Sequence, residues 1–537
     1  MAVMITIPQW TRFERKFLGV EAYANPIQDV EVRVEFTSEN GSKQNVAAFW
    51  DGDRTWKVRF SPEETGKWTY HTNCSARKDT GLHNQCGELQ CVPYNGDNPL
   101  FRHGALRVSR NRRYFIHADG TPFFWLGDTV WNGPLKADMA NWSEFLDDRA
   151  AKGFNITQFV TTQWVAGAGN ADARLAYSGV EEIHIDPAFF RWLDHRIDAI
   201  NDHGMVGAPA LIWSAPSRPW TSRQNPGGSL SDDQIIVLAR YLVARYGAHQ
   251  VVWILAGDSD YRGAEASRWK RIARAVFTNT ERLATMHPAG QIWVADEFRN
   301  EAWFSFNGYQ SSHWGTDQDH RWINEGPPSQ DWKTEPHHPI VNLEPCYEGH
   351  IEMRERRRIF DAYEVRRACY WSLLASPPAG LTYGCHGIWS WELAAEEPMN
   401  HPGTGVAPPW QEAVAMPGST SMQHLKNIFA SVEWWRLIPA PELVVNQPGR
   451  RFPARFVAAA RSESGDLAMV YLPEGGKVEL QMNLIRPGVT AEWIDPATGD
   501  RTIEKRCFSA GVQLFEVAGT EDRTLLFSTP GLAGGHS

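Results

Sequence analysis

Two short apolar runs in this chain each end in an acid. The first covers residues 251–258, reads VVWILAGD and ends in Asp258, and the second covers residues 339–345, reads PIVNLEP and contains Glu344. A near-continuous apolar run predicts a strand buried on both faces, as in a parallel sheet. Two carboxyl groups at such strand ends could serve glycoside hydrolysis, which needs a proton donor and a nucleophile or base. The alternative is that the strands end in acids only because loops are polar.

The surrounding pattern predicts a (β/α)8 barrel, in which catalytic groups sit at the C-terminal ends of the strands. Strand candidates alternate with helix signals such as the Asp186-Pro187 start and the Ser231 cap. By this count Asp258 ends the fourth strand and Glu344 the seventh. The eight strand candidates are residues 122–128, 154–161, 205–213, 251–258, 291–295, 303–312, 339–345 and 381–391.

Both ends of the chain alternate polar and apolar residues, as short strands do. Residues 30–36 have strict period two, and turn signals stand at residues 50–53 and 495–499. A length of 537 residues suggests about three domains. We therefore predict an α/β chain with a TIM barrel between two all-β sandwiches: residues 1–98, 99–435 and 436–537.

Composition narrows the class of partner. The net charge is −10 and no separate basic tract is present, so nucleic acid is not expected. The chain carries 25 tryptophans, more than its core needs, and tryptophan faces stack on sugars. Seven cysteines form no disulfide framework and no zinc-ligand spacing is present, so neither a metal nor a cofactor is expected. The expected partner is an oligosaccharide or polysaccharide, and the oligomeric state is not readable.

The start of the chain lacks a basic segment followed by an apolar stretch, and no apolar run reaches about 18 residues. We expect no membrane span. The chain as given is expected in the cytoplasm, although a trimmed secreted protein would have the same pattern.

Further side chains at the predicted strand ends are candidates for substrate binding. The polar ones could equally cap loops, and the aromatic ones could equally pack in the core. Asp260, Asp296 and Glu297 are rival acids, and residues 164–185 and 215–231 are expected loops at the active face. The substrate-binding candidates are Asp128, Trp131, Gln163, Trp164, Trp213, Gln310, His313, Trp389 and Trp391.

Three strings resemble the apiosidase-like glycoside hydrolases (family 140 and relatives). Residues 119–131, DGTPFFWLGDTVW, resemble the opening of that family's barrel. Residues 253–258, WILAGD, are similar to its fourth-strand motif, with Ala256 where the family tends to have glycine, and residues 342–348, NLEPCYE, to its seventh-strand motif. The two ends of the chain resemble the small N-terminal β domain and the C-terminal domain named for collagen binding that accompany such barrels.

The resemblance implies a retaining double-displacement hydrolase of a plant or microbial glycan, with Asp258 as acid/base and Glu344 as nucleophile. In such a pair we expect burial and the charge of Glu344 to raise the pKa of Asp258, and nearby donors to keep Glu344 ionised. The alternatives are another sugar or linkage specificity (arabinosidase, galactosidase or endo-glucanase) or a non-catalytic glycan-binding protein.

Overall fold

Eight parallel strands, each followed by a helix, form the centre of the molecule. The computed structural model describes residues 5–215, 224–278, 282–356 and 358–529. The strands are β1 (Trp125–Thr129), β2 (Ile156–Val160), β3 (Val206–Trp213), β4 (Trp253–Ser259), β5 (Ala284–Pro288), β6 (Asn307–Gln310), β7 (Ile340–Glu344) and β8 (Gly380–Gly384). The helices are α1 (Met139–Ala151), α2 (Pro187–Asp202), α3 (Asp232–Tyr246), α4 (Ala264–Val276), α5 (Ala295–Phe298), α6 (Asp317–Glu325), α7 (Ala362–Ala375) and α8 (Pro417–Ala430).

The strands form a nearly closed barrel. They lie in the order β5-β4-β3-β2-β1-β8-β7-β6. The two edges meet at a parallel bridge between Ala284 and Phe304, and the Thr285 hydroxyl donates a 2.6 Å hydrogen bond to the Phe306 carbonyl. The predicted barrel is therefore confirmed, with Asp258 on the fourth strand and Glu344 on the seventh.

The prediction for the fifth strand was wrong. Residues 291–294 lie in a loop and α5 begins at Ala295, whereas the strand is Ala284–Pro288. Polar Thr285 and His287 interrupt the apolar character of the true strand, yet both are fully buried. In the loop, Val294 is buried against the core, which explains an apolar run that is not a strand.

The predicted helix starts have a local cause. The Asp186 side chain accepts a 2.8 Å hydrogen bond from the backbone of Ala188 at the start of α2, and Ser231 accepts from Gln234 at the start of α3. Such caps satisfy backbone N–H groups that have no partner inside the helix. Short helical segments lie at Pro26–Asp29, Pro99–His103, Gly133–Lys136, Pro226–Ser229, Pro327–Asp331 and Trp410–Ala413.

A three-stranded sheet, Leu106–Val108, Phe115–His117 and Pro122–Phe123, covers the N-terminal end of the barrel. The Phe115 ring packs 5.7 Å from Trp125 and 5.2 Å from Phe306, measured between ring centroids. The Phe115 ring thus packs into this end of the barrel, and both candidate carboxyls lie at the opposite end.

The N-terminal strands form two sheets that pack face to face, with Phe36 stacked on Phe60 at 4.0 Å. Arg59 of this layer forms a buried ion pair with Asp194 of α2 at 2.6 Å, and Arg245 of α3 binds the same carboxylate at 2.7 Å. The pairs fix the domain against the barrel. One sheet contains Ile5–Pro8, Cys86–Val92, Gly66–Cys74, Val32–Ser38 and Lys43–Ala47, and the other Phe13–Leu18, Thr55–Phe60 and Phe49–Trp50.

The C-terminal strands also form two sheets. Asp522 accepts hydrogen bonds from Arg366 of α7 at 2.6 and 2.7 Å and from Tyr471 at 2.9 Å, so this domain too is tied to the barrel by a buried ion pair. No helix among the described residues is long and apolar enough to cross a membrane. The larger sheet contains Ile438–Pro439, Ala458–Arg461, Leu467–Leu472, Arg523–Ser528, Thr490–Ile494 and Arg501–Glu504, and the smaller Gly476–Gln481 and Val512–Val517.

Candidate active site

Asp258 lies at the C-terminal end of β4, in a backbone conformation that is uncommon for this residue. Its φ is +60°, and the pairing of β4 with β5 shifts register around Gly257. The Gln310 side-chain amide donates to Asp258 Oδ1 at 2.9 Å and to the Pro288 carbonyl at 2.8 Å. Non-glycine residues with positive φ concentrate at functional sites because the surrounding structure must hold them there.

The environment of Asp258 favours its protonated form. Burial, followed by the charge of Glu344, raises the pKa of Asp258 to about 6, and the hydrogen bond from Gln310 opposes the rise. The expected direction and both expected causes are thus found. A carboxyl with a pKa near 6 can donate a proton close to neutral pH.

Glu344 ends β7 and is held by a neutral histidine. His313 Nε2 lies 3.0 Å from Glu344 Oε1, and the backbone N–H of Tyr347 donates to His313 Nδ1 at 3.2 Å. Burial lowers the pKa of His313 to about 3, so the imidazole carries one proton. Because Nδ1 accepts a hydrogen bond, that proton is on Nε2, which therefore donates to Glu344.

A second imidazole faces the other oxygen of Glu344. His287 of β5 is fully buried, and its Nε2 lies 3.5 Å from Glu344 Oε2. Burial raises the pKa of Glu344, while His287 and the Tyr347 hydroxyl act in the opposite direction. The nearby donors therefore do not outweigh burial, and the pKa of Glu344 is raised overall. His287 was not among the predicted site residues because the fifth strand was predicted at residues 291–295, whereas His287 lies in the run 283–288, LATMHP.

Four of the predicted tryptophans form an aromatic cluster at this end of the barrel. Trp213 contacts Trp131 at 4.9 Å and Trp164 at 4.6 Å between ring centroids, and Trp164 lies 6.5 Å from Trp389. Trp131 also lies 5.3 Å from His287, which places the cluster beside Glu344. Flat aromatic faces next to two carboxyls suit a sugar ring.

Glycine is required at the residue before Asp258. A Cβ atom on Gly257 would lie 2.5 Å from the Trp213 ring. Trp213 can therefore pack closely against β4 only because the residue before Asp258 is glycine.

Three of the predicted binding residues have partners within the protein. Asp128 is buried and forms an ion pair with Arg149 of α1 at 2.5 Å. Gln163 donates to the Tyr177 carbonyl and accepts from the Ala176 N–H, so its amide holds the loop after β2. Trp391 is fully buried and is stacked on Trp410, with ring centroids 4.7 Å apart.

The rival acids pair with neighbours outside this cluster. Asp296 lies on α5, where its side chain is 84% exposed beside Arg299. Glu297 accepts a hydrogen bond from the backbone of Gly263 at 3.1 Å, and Asp260 forms an exposed pair with Arg262. Of the expected active-face loops, residues 164–185 contain the hairpin of Tyr177–Ser178 and His184–Ile185. In the loop 215–231, residues 216–223 lie outside the described part of the chain.

Sequence reasoning missed several polar groups that organise the site. Asn132 accepts a 2.7 Å hydrogen bond from the Trp164 indole and donates to the carbonyls of Ala166 and Ser390. The His350 ring stacks on His313 with 4.3 Å between centroids. Within the described ranges, no group of three or more His, Cys, Asp or Glu side chains is placed to hold a metal ion.

Comparisons with known proteins give a consistent result. The family model described as "Apiosidase-like, catalytic domain" matches residues 109–436. Residues 6–75 match a domain of unknown function, DUF5060, and residues 438–527 match the "Putative collagen-binding domain of a collagenase". A search of curated proteins finds no match.

Solved structures share the fold. A structure described as a glycoside hydrolase is 24% identical with a TM-score of 0.70, and 81% of this chain and 99% of that chain are covered. A family 5 glycoside hydrolase from Bacteroides vulgatus is 23% identical with a TM-score of 0.69, over 81% of this chain and 95% of that one. A third structure, also from Bacteroides vulgatus, is 18% identical with a TM-score of 0.72, over 98% of this chain and 100% of that one.

Proposed function

We propose a mechanism from one premise: the chain belongs to the apiosidase-like family of glycoside hydrolases. The proposed reaction is retaining hydrolysis of a glycosidic bond in a plant or microbial glycan, with Asp258 as acid/base and Glu344 as nucleophile. The observation that carries the proposal is the contrast between the two carboxyls. Asp258 has a pKa raised to about 6 by burial and by the charge of Glu344, whereas two imidazoles face Glu344.

In the first step Asp258 donates its proton to the glycosidic oxygen while Glu344 attacks the anomeric carbon. His313 donates to Oε1 of Glu344. Among the described residues, His287 Nε2 faces Oε2 at 3.5 Å, a separation longer than that of a normal hydrogen bond. We therefore propose Oε2 as the attacking atom.

In the second step the ionised Asp258 takes a proton from water, and that water breaks the glycosyl–Glu344 ester. The roles follow because one residue must alternate between acid and base while the other stays available as a nucleophile. Trp131, Trp164, Trp213 and Trp389 are the proposed sugar-binding surface, and Gln310 and His313 position the two carboxyls.

The test is hydrolysis of a panel of aryl glycosides and oligosaccharides by the wild type, Glu344→Gln and Asp258→Ala. We expect steady-state hydrolysis of the oligosaccharides by the wild type only, with the anomeric configuration of the first product retained in proton NMR spectra. Azide should rescue Glu344→Ala with inversion and Asp258→Ala with retention, because azide replaces the nucleophile in one variant and water in the other.

The matched controls are Asp296→Asn and Glu297→Gln, which remove the rival acids. Both should hydrolyse the panel at the wild-type rate. Inverted first product from the wild type would contradict the retaining mechanism. Full activity of Glu344→Gln would exclude Glu344 as the nucleophile.

A further inference from the structure

His401, on the loop after β8, lies against the aromatic cluster and near the acid. Its ring is 5.2 Å from Trp389 and 6.0 Å from Trp164 between centroids. Trp164 in turn contacts Trp213, whose ring packs against Gly257, the residue before Asp258, so the imidazole belongs to the same end of the barrel as the acid. Nothing in the strand pattern points to this residue, because it belongs to a long loop.

The hydrogen bonds of His401 define which nitrogen is available. Nδ1 lies 2.8 Å from the Met399 carbonyl, an acceptor, so Nδ1 carries the proton. Burial lowers the pKa of His401, which keeps the imidazole neutral at pH 7. Nε2 consequently holds a lone pair, and it accepts no hydrogen bond from the described residues.

The loop that carries His401 is fixed in place. Asn400, with φ +57°, donates from its side-chain amide to the Val165 carbonyl at 2.7 Å and to Gln224 Oε1 at 3.3 Å. The Thr404 hydroxyl donates to the His401 carbonyl at 2.8 Å. The loop after β8 is thus joined to the loop after β2, and the imidazole is held against Trp389 and Trp164.

Two polar side chains beside the carboxyls are already hydrogen-bonded, whereas the His287 imidazole and the Tyr347 hydroxyl have no hydrogen-bond partner among the described residues. The Gln310 amide donates to Asp258 and a carbonyl, and His313 donates to Glu344. The indole N–H of Trp213 is buried without a partner among the described residues and can only donate. The Nε2 lone pair of His401, at the edge of the aromatic cluster, offers a neutral acceptor to a sugar hydroxyl.

We propose that His401 determines substrate specificity by accepting a hydrogen bond at Nε2 from one hydroxyl of the sugar bound beside Asp258. This inference rests on the proposed glycosidase function. The ligand class is a glycoside whose ring or side chain presents that hydroxyl, and the corresponding deoxy sugar is the disfavoured substrate. A site built to bind a hydroxyl discriminates against an analogue that lacks it, because the protein group is then left unpaired.

The test compares His401→Phe with the wild type. Phenylalanine keeps a flat ring against Trp389 and Trp164 but removes the acceptor. The substrates are the 4-nitrophenyl glycoside that the wild type hydrolyses fastest and its monodeoxy analogues. We expect kcat/KM for the parent to fall about tenfold or more in the variant. For one deoxy analogue, the wild type and the variant should be equal.

Two further variants make the result interpretable. His401→Gln retains an acceptor oxygen and should discriminate against that deoxy analogue better than His401→Phe does. His71→Phe makes the same exchange at an exposed position on the N-terminal strand Gly66–Cys74 and should match the wild type. Thermal melting curves show whether each variant is folded.

An equal loss of kcat/KM for the parent and all deoxy analogues would overturn the inference, since His401 would then only support the loop. If the wild type hydrolyses no glycoside, the proposed function fails instead. Calorimetric titration of the parent monosaccharides then tests the inference. Weaker binding to His401→Phe than to the wild type supports it, and equal binding or no binding to either protein overturns it.

Discussion

Replacing Gln310 should move the pH dependence of the enzyme in a defined direction. The Gln310 amide donates to the Asp258 carboxylate at 2.9 Å, and this bond lowers the pKa of Asp258 against burial and the charge of Glu344. Gln310→Met keeps the length of the side chain and removes the donor. The pKa of Asp258 should therefore rise above its value of about 6.

The size of the shift follows from the strength of the bond. A hydrogen bond to a charged group contributes about 1.5 kcal/mol. One pKa unit corresponds to about 1.4 kcal/mol, so the loss predicts a rise of about one unit. The alkaline limb of kcat/KM reports the acid of the free enzyme, so it should move from about pH 6 to about pH 7.

The assay is kcat/KM against pH with the best aryl glycoside from the panel. Asp260→Asn is the control, since it removes a neighbouring acid that pairs with Arg262 at the surface, and its profile should match the wild type. An alkaline limb that stays in place or moves to lower pH in Gln310→Met would refute the reasoning. It would mean that another group supplies the proton or that Gln310 does not stabilise the ionised acid.

Three other outcomes are expected. Asp258→Asn should raise the free energy of unfolding at pH 8 by about 3 kcal/mol, because the pKa of Asp258 is raised from 3.8 to about 6 and its ionisation favours the unfolded chain. Urea titrations should find little gain at pH 4. An equal gain at both pH values would contradict this prediction. Asp194→Ala should lower the free energy of unfolding by about 3–5 kcal/mol, because Arg59 and Arg245 lose their shared buried carboxylate. Calorimetry measures the loss, and a value below about 1 kcal/mol would contradict the role of this network. His313→Phe should lower kcat about tenfold with little change in KM, because the donor to Glu344 Oε1 is lost. Steady-state kinetics measure both constants. A change in KM alone would contradict the prediction and assign His313 to substrate binding.

The sequence was sufficient for the barrel and for the position of both acids. The runs that end at Asp258 and Glu344 are continuous because β4 and β7 are buried on both faces, which is the property that the pattern detects. The fifth strand is buried on both faces too, but the polar residues Thr285 and His287 interrupt its apolar run, so the pattern does not detect it. The domain limits after residues 98 and 435 stay a prediction.

The substrate-binding candidates were less predictable because their partners are distant in sequence. Asp128 pairs with Arg149, and Trp391 stacks on Trp410, and no local pattern indicates either contact. A polar or aromatic residue at a strand end has two possible environments, the pocket and the packed wall. Its type does not distinguish between them, and only the partner does.

The same argument applies to the two acids, since both are buried carboxyls and residue type alone does not assign their roles. The neighbours differ. His287 and Tyr347 lower the pKa of Glu344 against its burial, whereas the charge of Glu344 adds to burial in raising the pKa of Asp258. When the pair holds one proton, these effects favour its residence on Asp258. The division of roles that we propose thus depends on His287, a residue of the strand that the sequence pattern misplaced.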